Sequence, residues 1–135
     1  GRRIMDINIT ITAFYASLLT LLYIGLSINI IRLRFKLKVG LGDGGKEPLI
    51  KAIRIHGNFS EYMPLALILL VCFELSGADS FWVHLFGAVL FIGRVLHAIG
   101  LTQSVGTSKS RAFGMLSMFL VLILLAIANI YAFIF

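Results

Sequence analysis

Charge is scarce in this sequence: twelve Lys and Arg and six Asp and Glu make up 13% of 135 residues. A soluble domain carries roughly twice that share. Hydrophobic residues reach 59% and the mean hydropathy is +0.99, more apolar surface than a soluble core of this length can hide. Lipid is therefore the solvent for most of the chain. Cysteine is nearly absent. The single Cys72 excludes an internal disulfide or a cysteine metal cluster and reads as a small buried hydrophobe. The alternating segments of about ten residues that mark a membrane β-barrel are also missing.

What is present is four long apolar stretches, Ile7–Ile31, Pro48–Ser76, Ser80–Gln103 and Ala112–Phe135. Crossing the hydrocarbon takes about 20 helical residues, which each stretch supplies. The expected fold is all-α: an integral membrane four-helix bundle in one domain, 1–135, with helices at 7–36, 48–76, 80–103 and 111–135. The first stretch is too long for a signal peptide, and a basic segment follows it instead of a cleavage pattern. Met5 is a candidate natural start, with Gly1 to Ile4 as an added remnant.

The few charges are unevenly placed. Arg32, Arg34, Lys36, Lys38, Lys46 and Lys51 lie at or within the first connection, and Lys109 and Arg111 lie at the third. The second connection holds Asp79 and no cation. The positive-inside rule puts connections one and three in the cytoplasm and both termini on the opposite side, with Arg2 and Arg3 arguing against. The net charge of +6 fits this topology and contact with anionic membrane lipid. Without aromatic residues interleaved among the cations, it gives no reason to expect nucleic acid.

Ionisable side chains inside membrane helices are costly and usually face protein. Arg54, Asn58 and Glu61 are spaced i, i+4, i+7 and share one face of the second helix, while His56 points about half a turn away from Asn58. Arg94 and His97 are neighbours on the third helix. In the topology above, these groups meet at one depth with Arg32 and Arg34 of the first helix and Lys109 and Arg111 beside the fourth. Glu61 is the lone acid among them. Pro64 removes the helical partner of the Ser60 carbonyl, which either kinks the helix beside Glu61 and Tyr62 or is satisfied by neighbours. Such a site suits an anionic, zwitterionic ligand: arginines hold carboxylates in paired hydrogen bonds, and the glutamate takes an ammonium group. Arg32, Lys36, Lys38 and Lys51 read more simply as snorkelling anchors.

At these residues the sequence resembles the MAPEG family, membrane-associated proteins of eicosanoid and glutathione metabolism. Arg54-Ile-His56-Gly-Asn58-Phe-Ser-Glu61-Tyr62 matches that family's second-helix signature, and Gly93-Arg94-Val95-Leu96-His97 matches its third helix. The resemblance is closest to small bacterial inner-membrane members, whose first connection also carries a glycine-rich stretch like Gly42 to Gly45. It implies a homotrimer binding glutathione, as co-substrate, between neighbouring subunits near the cytosolic face, in a bacterial inner membrane with periplasmic termini. By the same resemblance, Arg54, His56, Asn58, Glu61 and Tyr62 contact glutathione, as do Arg94 and His97, with Arg34 (or Arg32) from the first helix. Arg111 would stabilise the thiolate, and Arg94 is the second catalytic candidate. A cation beside a thiol favours the thiolate, which is the nucleophile. Two departures qualify the match. Leu101 stands where eicosanoid-handling members have a tyrosine, and aligning Arg111 requires a gap within Ser104 to Ser110.

Other signals are set aside. Gly40 to Glu47 nearly spells a phosphate-binding loop, but Glu47 replaces the Ser or Thr and no strand precedes it. His84 reads as interfacial, Phe81 and Trp82 as an aromatic anchor, and Asn129 as an interhelical hydrogen bonder. His56, His97 and Glu61 lack metal-ligand spacing, so no metal is expected. The leading function is a glutathione transferase or peroxidase acting on a lipophilic small molecule. The alternatives are a non-catalytic glutathione-binding sensor or scaffold, and an oligomeric small channel. Glu61→Gln separates them: either glutathione reading expects weaker glutathione binding by calorimetry, and a channel expects altered ion selectivity in bilayer recordings.

Overall fold

The computed structural model describes residues 8–103 and 109–135, and the side chains within them except those of residues 100–103 and 109–111. Four helices follow in order: α1, Thr10–Leu37; α2, Glu47–Leu75; α3, Ser80–Gln103; and α4, Lys109–Ile134. All four are long and apolar enough to cross a membrane. The expected all-α architecture is what the chain adopts. The Met5 start, with Arg2 and Arg3, and the gap within Ser104 to Ser110 lie outside the described residues, at least in part.

The helix limits differ from the sequence reading by a few residues, and caps explain the difference at α1. Asn8 and Ile9 are not helical; Asn8 Oδ1 accepts from the Thr10 backbone N–H (3.1 Å) and hydroxyl (2.7 Å). The next two N–H groups, of Ile11 and Thr12, donate to the carboxylate of Glu74 at 3.1 and 2.8 Å. Glu74 is buried at the far end of α2 and supplies from another helix what the first turn lacks. At its other end α1 stops at Lys38, which takes a left-handed conformation (φ 58°). Arg34 Nη1 then donates to the carbonyls of Val39 (3.3 Å) and Gly42 (2.7 Å), folding the first connection back over the helix end. Gly42 has φ +68°, a turn that a side chain would strain. Pro48 follows in the first turn of α2, where its missing N–H has no consequence.

The helices form a diamond in section. α1 and α4 each pack on α2 and α3, α2 touches α3, and α1 does not reach α4 among the described residues. The core runs along the α2–α3 diagonal through Met63, Leu70, Val83, Leu90, Met118 and Leu125. The tightest crossing joins α3 to α4. A Cβ on Gly114 would lie 2.5 Å from the Gly93 carbonyl oxygen and 3.0 Å from the His97 nitrogen. In lipid, where no hydrophobic force drives helices together, such close backbone approach and interhelical hydrogen bonds do the holding. Asn129 contributes as expected, donating to the Leu69 carbonyl at 3.1 Å.

One expectation changes, and one point left open is met by a continuous helix. Cys72 is exposed on the outside of α2, not buried, because lipid accepts a small apolar side chain as readily as the core does. Pro64 leaves α2 unbroken from Glu47 to Leu75. The Ser60 hydroxyl bonds back to the carbonyls of His56 and Gly57 (3.1 and 3.0 Å) in the turn before it. At the other end of the bundle, His84 is bonded to the Tyr15 hydroxyl at 3.0 Å, and Phe81 and Trp82 project outward as an anchor would.

Glu74→Gln tests the cap from α2. The amide has one acceptor for two N–H donors, and its own NH₂ faces one of them. Charge-assisted hydrogen bonds contribute about 1.5–3 kcal/mol each. The variant is expected to lose stability of that order, seen as a lower midpoint in thermal unfolding of the detergent-solubilised protein.

Candidate functional site

The polar residues singled out in the sequence divide between two sides of α2. The first group lies where α2, α3 and α4 meet. Arg94 is 2% exposed and His97 3%, both on α3, and Asn58 of α2 is 9% exposed. The Gly93–Gly114 crossing draws α4 close enough for Arg94 Nη1 to donate to Met118 Sδ at 3.4 Å. Nη2 donates to His97 Nδ1 at 3.3 Å, and the guanidinium carbon lies 5.8 Å from the centroid of the Phe59 ring. No carboxylate comes within ion-pair distance of Arg94 among the described residues, where Lys51–Glu47 (3.6 Å) is the single ion pair. Arg94 Nε and Asn58 Oδ1 are buried with no hydrogen-bond partner among those residues. Tyr62 borders this group and packs edge-on against Phe119 of α4.

The second group lies where α2 meets α1. His56 Nε2 is 3.0 Å from the Ser27 hydroxyl, and its ring stacks on Tyr23 with centroids 4.6 Å apart. Tyr23 also packs on Phe59 (5.3 Å), so Phe59 touches both groups. Arg54 and Glu61 belong to neither interior. They share the helical face of Asn58, but both side chains are exposed and do not pair with each other.

The two first-helix arginines have different surroundings. Arg34 spends Nη1 on the first connection. Arg32 is exposed, bonded to Asn29 Oδ1 at 2.9 Å, and lines an open cleft of about 450 Å³ with Asn29, Glu47 and Lys51. The side chains of Arg111 and Leu101 lie outside the described residues.

Sequence reasoning passed over Phe59, Tyr23, Ser27 and Met118. Ser27, a hydroxyl one turn after Tyr23 on the same helix, was the one polar signal available. Phe59 and Met118 look like ordinary core, and only the fold shows that they enclose a cation. Among the described residues, no group of three or more His, Cys, Asp or Glu side chains could hold a metal ion.

A guanidinium buried without a carboxylate partner among the described residues, in a bundle that also buries an orphaned amide oxygen, offers charge and an acceptor that no other described side chain satisfies. Comparison with known proteins narrows what kind of protein holds it. The MAPEG family profile matches residues 12–131. The chain belongs to the MAPEG family. It is a membrane protein of this glutathione and eicosanoid metabolism family, and the segment from Arg54 to Tyr62 and the run from Gly93 to His97 both fall within the matched range. The inner membrane protein YecN of Escherichia coli K12 is 39% identical over 121 residues, covering 90% of this chain and 91% of that protein. YecN of Escherichia coli O6:H1 gives the same figures.

Proposed function

We propose that this MAPEG protein is a glutathione-dependent membrane enzyme of the transferase or peroxidase type, acting on lipophilic electrophiles that reach it through the bilayer. One observation carries the reading: Arg94, a cation held inside a lipid-embedded bundle with no carboxylate partner among the described residues. A permanent charge in that setting is costly unless an anion joins it. Glutathione brings carboxylates for arginines, an ammonium group for Glu61, amide donors for Asn58 Oδ1, and a thiol. Arg111 stabilises the thiolate left when the thiol proton passes to water; the thiolate attacks an electrophilic carbon to form an S–C bond, and the carbon–leaving-group bond breaks with its electron pair departing on the leaving group.

The division of the candidates favours an intersubunit site. His56 and Arg32 lie on the α1 side of the protomer, Asn58, Arg94 and His97 on the α3–α4 side. A ligand that touches both sets needs two copies, which accords with a homotrimer. The reading also places the protein in a bacterial inner membrane, like the relatives so named, with connections one and three cytoplasmic and both termini periplasmic. The large apolar side chains left exposed, such as Leu21, Leu116 and Ile123, face lipid or neighbouring subunits.

Ultraviolet difference absorbance of purified protein mixed with glutathione is expected to show a thiolate band. Arg111→Ala should abolish the band while binding persists. Binding without any thiolate would assign the protein to a non-catalytic sensor or scaffold. Absence of binding would remove the glutathione reading altogether.

Mixed oligomers test the shared site. Arg32→Ala and Asn58→Leu are each expected to abolish glutathione binding. Co-expressed and co-purified, they should restore a fraction of the sites, because some interfaces then pair two intact halves. No restoration would place the whole site within one protomer.

A further inference from the structure

We propose that Arg94 is a positioning residue: it fixes the tautomer of His97, so that His97 serves the site as a hydrogen-bond donor through Nε2–H and not as a base. The argument begins with what a guanidinium can do. It has five N–H donors and no acceptor, so any hydrogen bond it makes to an imidazole nitrogen requires a lone pair on that nitrogen. Arg94 Nη2 lies 3.3 Å from His97 Nδ1, and both side chains are buried. Nδ1 is therefore the acceptor and carries no proton. The proton of the neutral ring sits on Nε2. The logic is that of a histidine whose one nitrogen is defined by the bond the other makes.

The surroundings hold the pair in this state. Arg94 cannot swing away, because Met118 takes Nη1 at 3.4 Å and Phe59 lies beneath the guanidinium carbon. His97 is pressed against α4 where Gly114 leaves room for its backbone: a Cβ on Gly114 would come within 3.0 Å of both His97 Cβ and N. Arg94 and His97 are also three residues apart on one helix, so their contact needs no long-range closure.

The functional consequence rests on the glutathione reading. With Nδ1 committed to Arg94 and a proton on Nε2, His97 has no lone pair to take the thiol proton. That proton must leave to water, and the thiolate is held by cations and donors alone. Arg94 then acts through His97 as well as through its charge, which is why replacing it should affect more than one property of the site.

The test is a two-bond ¹H–¹⁵N correlation spectrum of histidine-labelled protein in detergent, at neutral pH and without glutathione. His56→Gln and His84→Gln assign the three imidazoles. Expected for His97 in the wild type is a protonated Nε2 and an unprotonated Nδ1. Arg94→Lys, which still offers a donor, should keep that pattern; Arg94→Met should lose it and show a tautomer mixture. A proton on Nδ1 in the wild type, or an unchanged pattern in Arg94→Met, overturns the proposal. If Arg94→Met does not fold, the wild-type and Arg94→Lys spectra still decide it. In a parallel titration, Arg94→Met should bind glutathione about tenfold more weakly than Arg94→Lys, the order expected for a lost buried hydrogen bond. A wild type that shows the tautomer but binds no glutathione overturns the glutathione reading and leaves the positioning role standing.

Discussion

In a bilayer a polar group must find its partner inside the protein, because the solvent offers none. Arg94 is the severest instance here. Its guanidinium is enclosed by an aromatic ring, a thioether and an imidazole, none of them an anion. The rest of the bundle is arranged around that fact. Gly93 and Gly114 let α3 and α4 approach until Met118 reaches the guanidinium, and α2 presents Phe59 from the other side. The enclosure leaves a buried positive charge with no anion beside it among the described residues, and the bundle also buries a bare amide oxygen on Asn58.

Much of this architecture was legible in the sequence, because lipid makes composition a strong constraint. Four apolar stretches, a basic first connection and the scarcity of charge leave little choice of fold. Arg94, His97 and Asn58 stood out because polar side chains at membrane depth are uncommon. What could not be read was partnership. Arg54, Asn58 and Glu61 share a helical face by spacing, yet only Asn58 is buried, since burial depends on where the neighbouring helices lie and not on the period of α2. Arg32 and Arg34 look equivalent two residues apart. A loop carbonyl at Gly42 occupies one of them and leaves the other beside an open cleft. Cys72 shows the same limit: in lipid, apolarity no longer distinguishes inside from outside.

His56 and Asn58 are two residues apart and end on opposite sides of α2, one against Ser27 and Tyr23, the other buried with its amide oxygen unpaired among the described residues. Phe59 lies between the two groups and touches both. In the proposed assembly each protomer therefore presents half of a site on each of two sides, and one aromatic ring links the halves.

The carboxylate of Glu74 has a consequence for how the chain is made. The opening N–H groups of α1 belong to residues synthesised first, and their acceptor arrives only when the end of α2 has left the ribosome. In the finished fold the first two helices complete each other as a hairpin, with the close of the second capping the opening of the first.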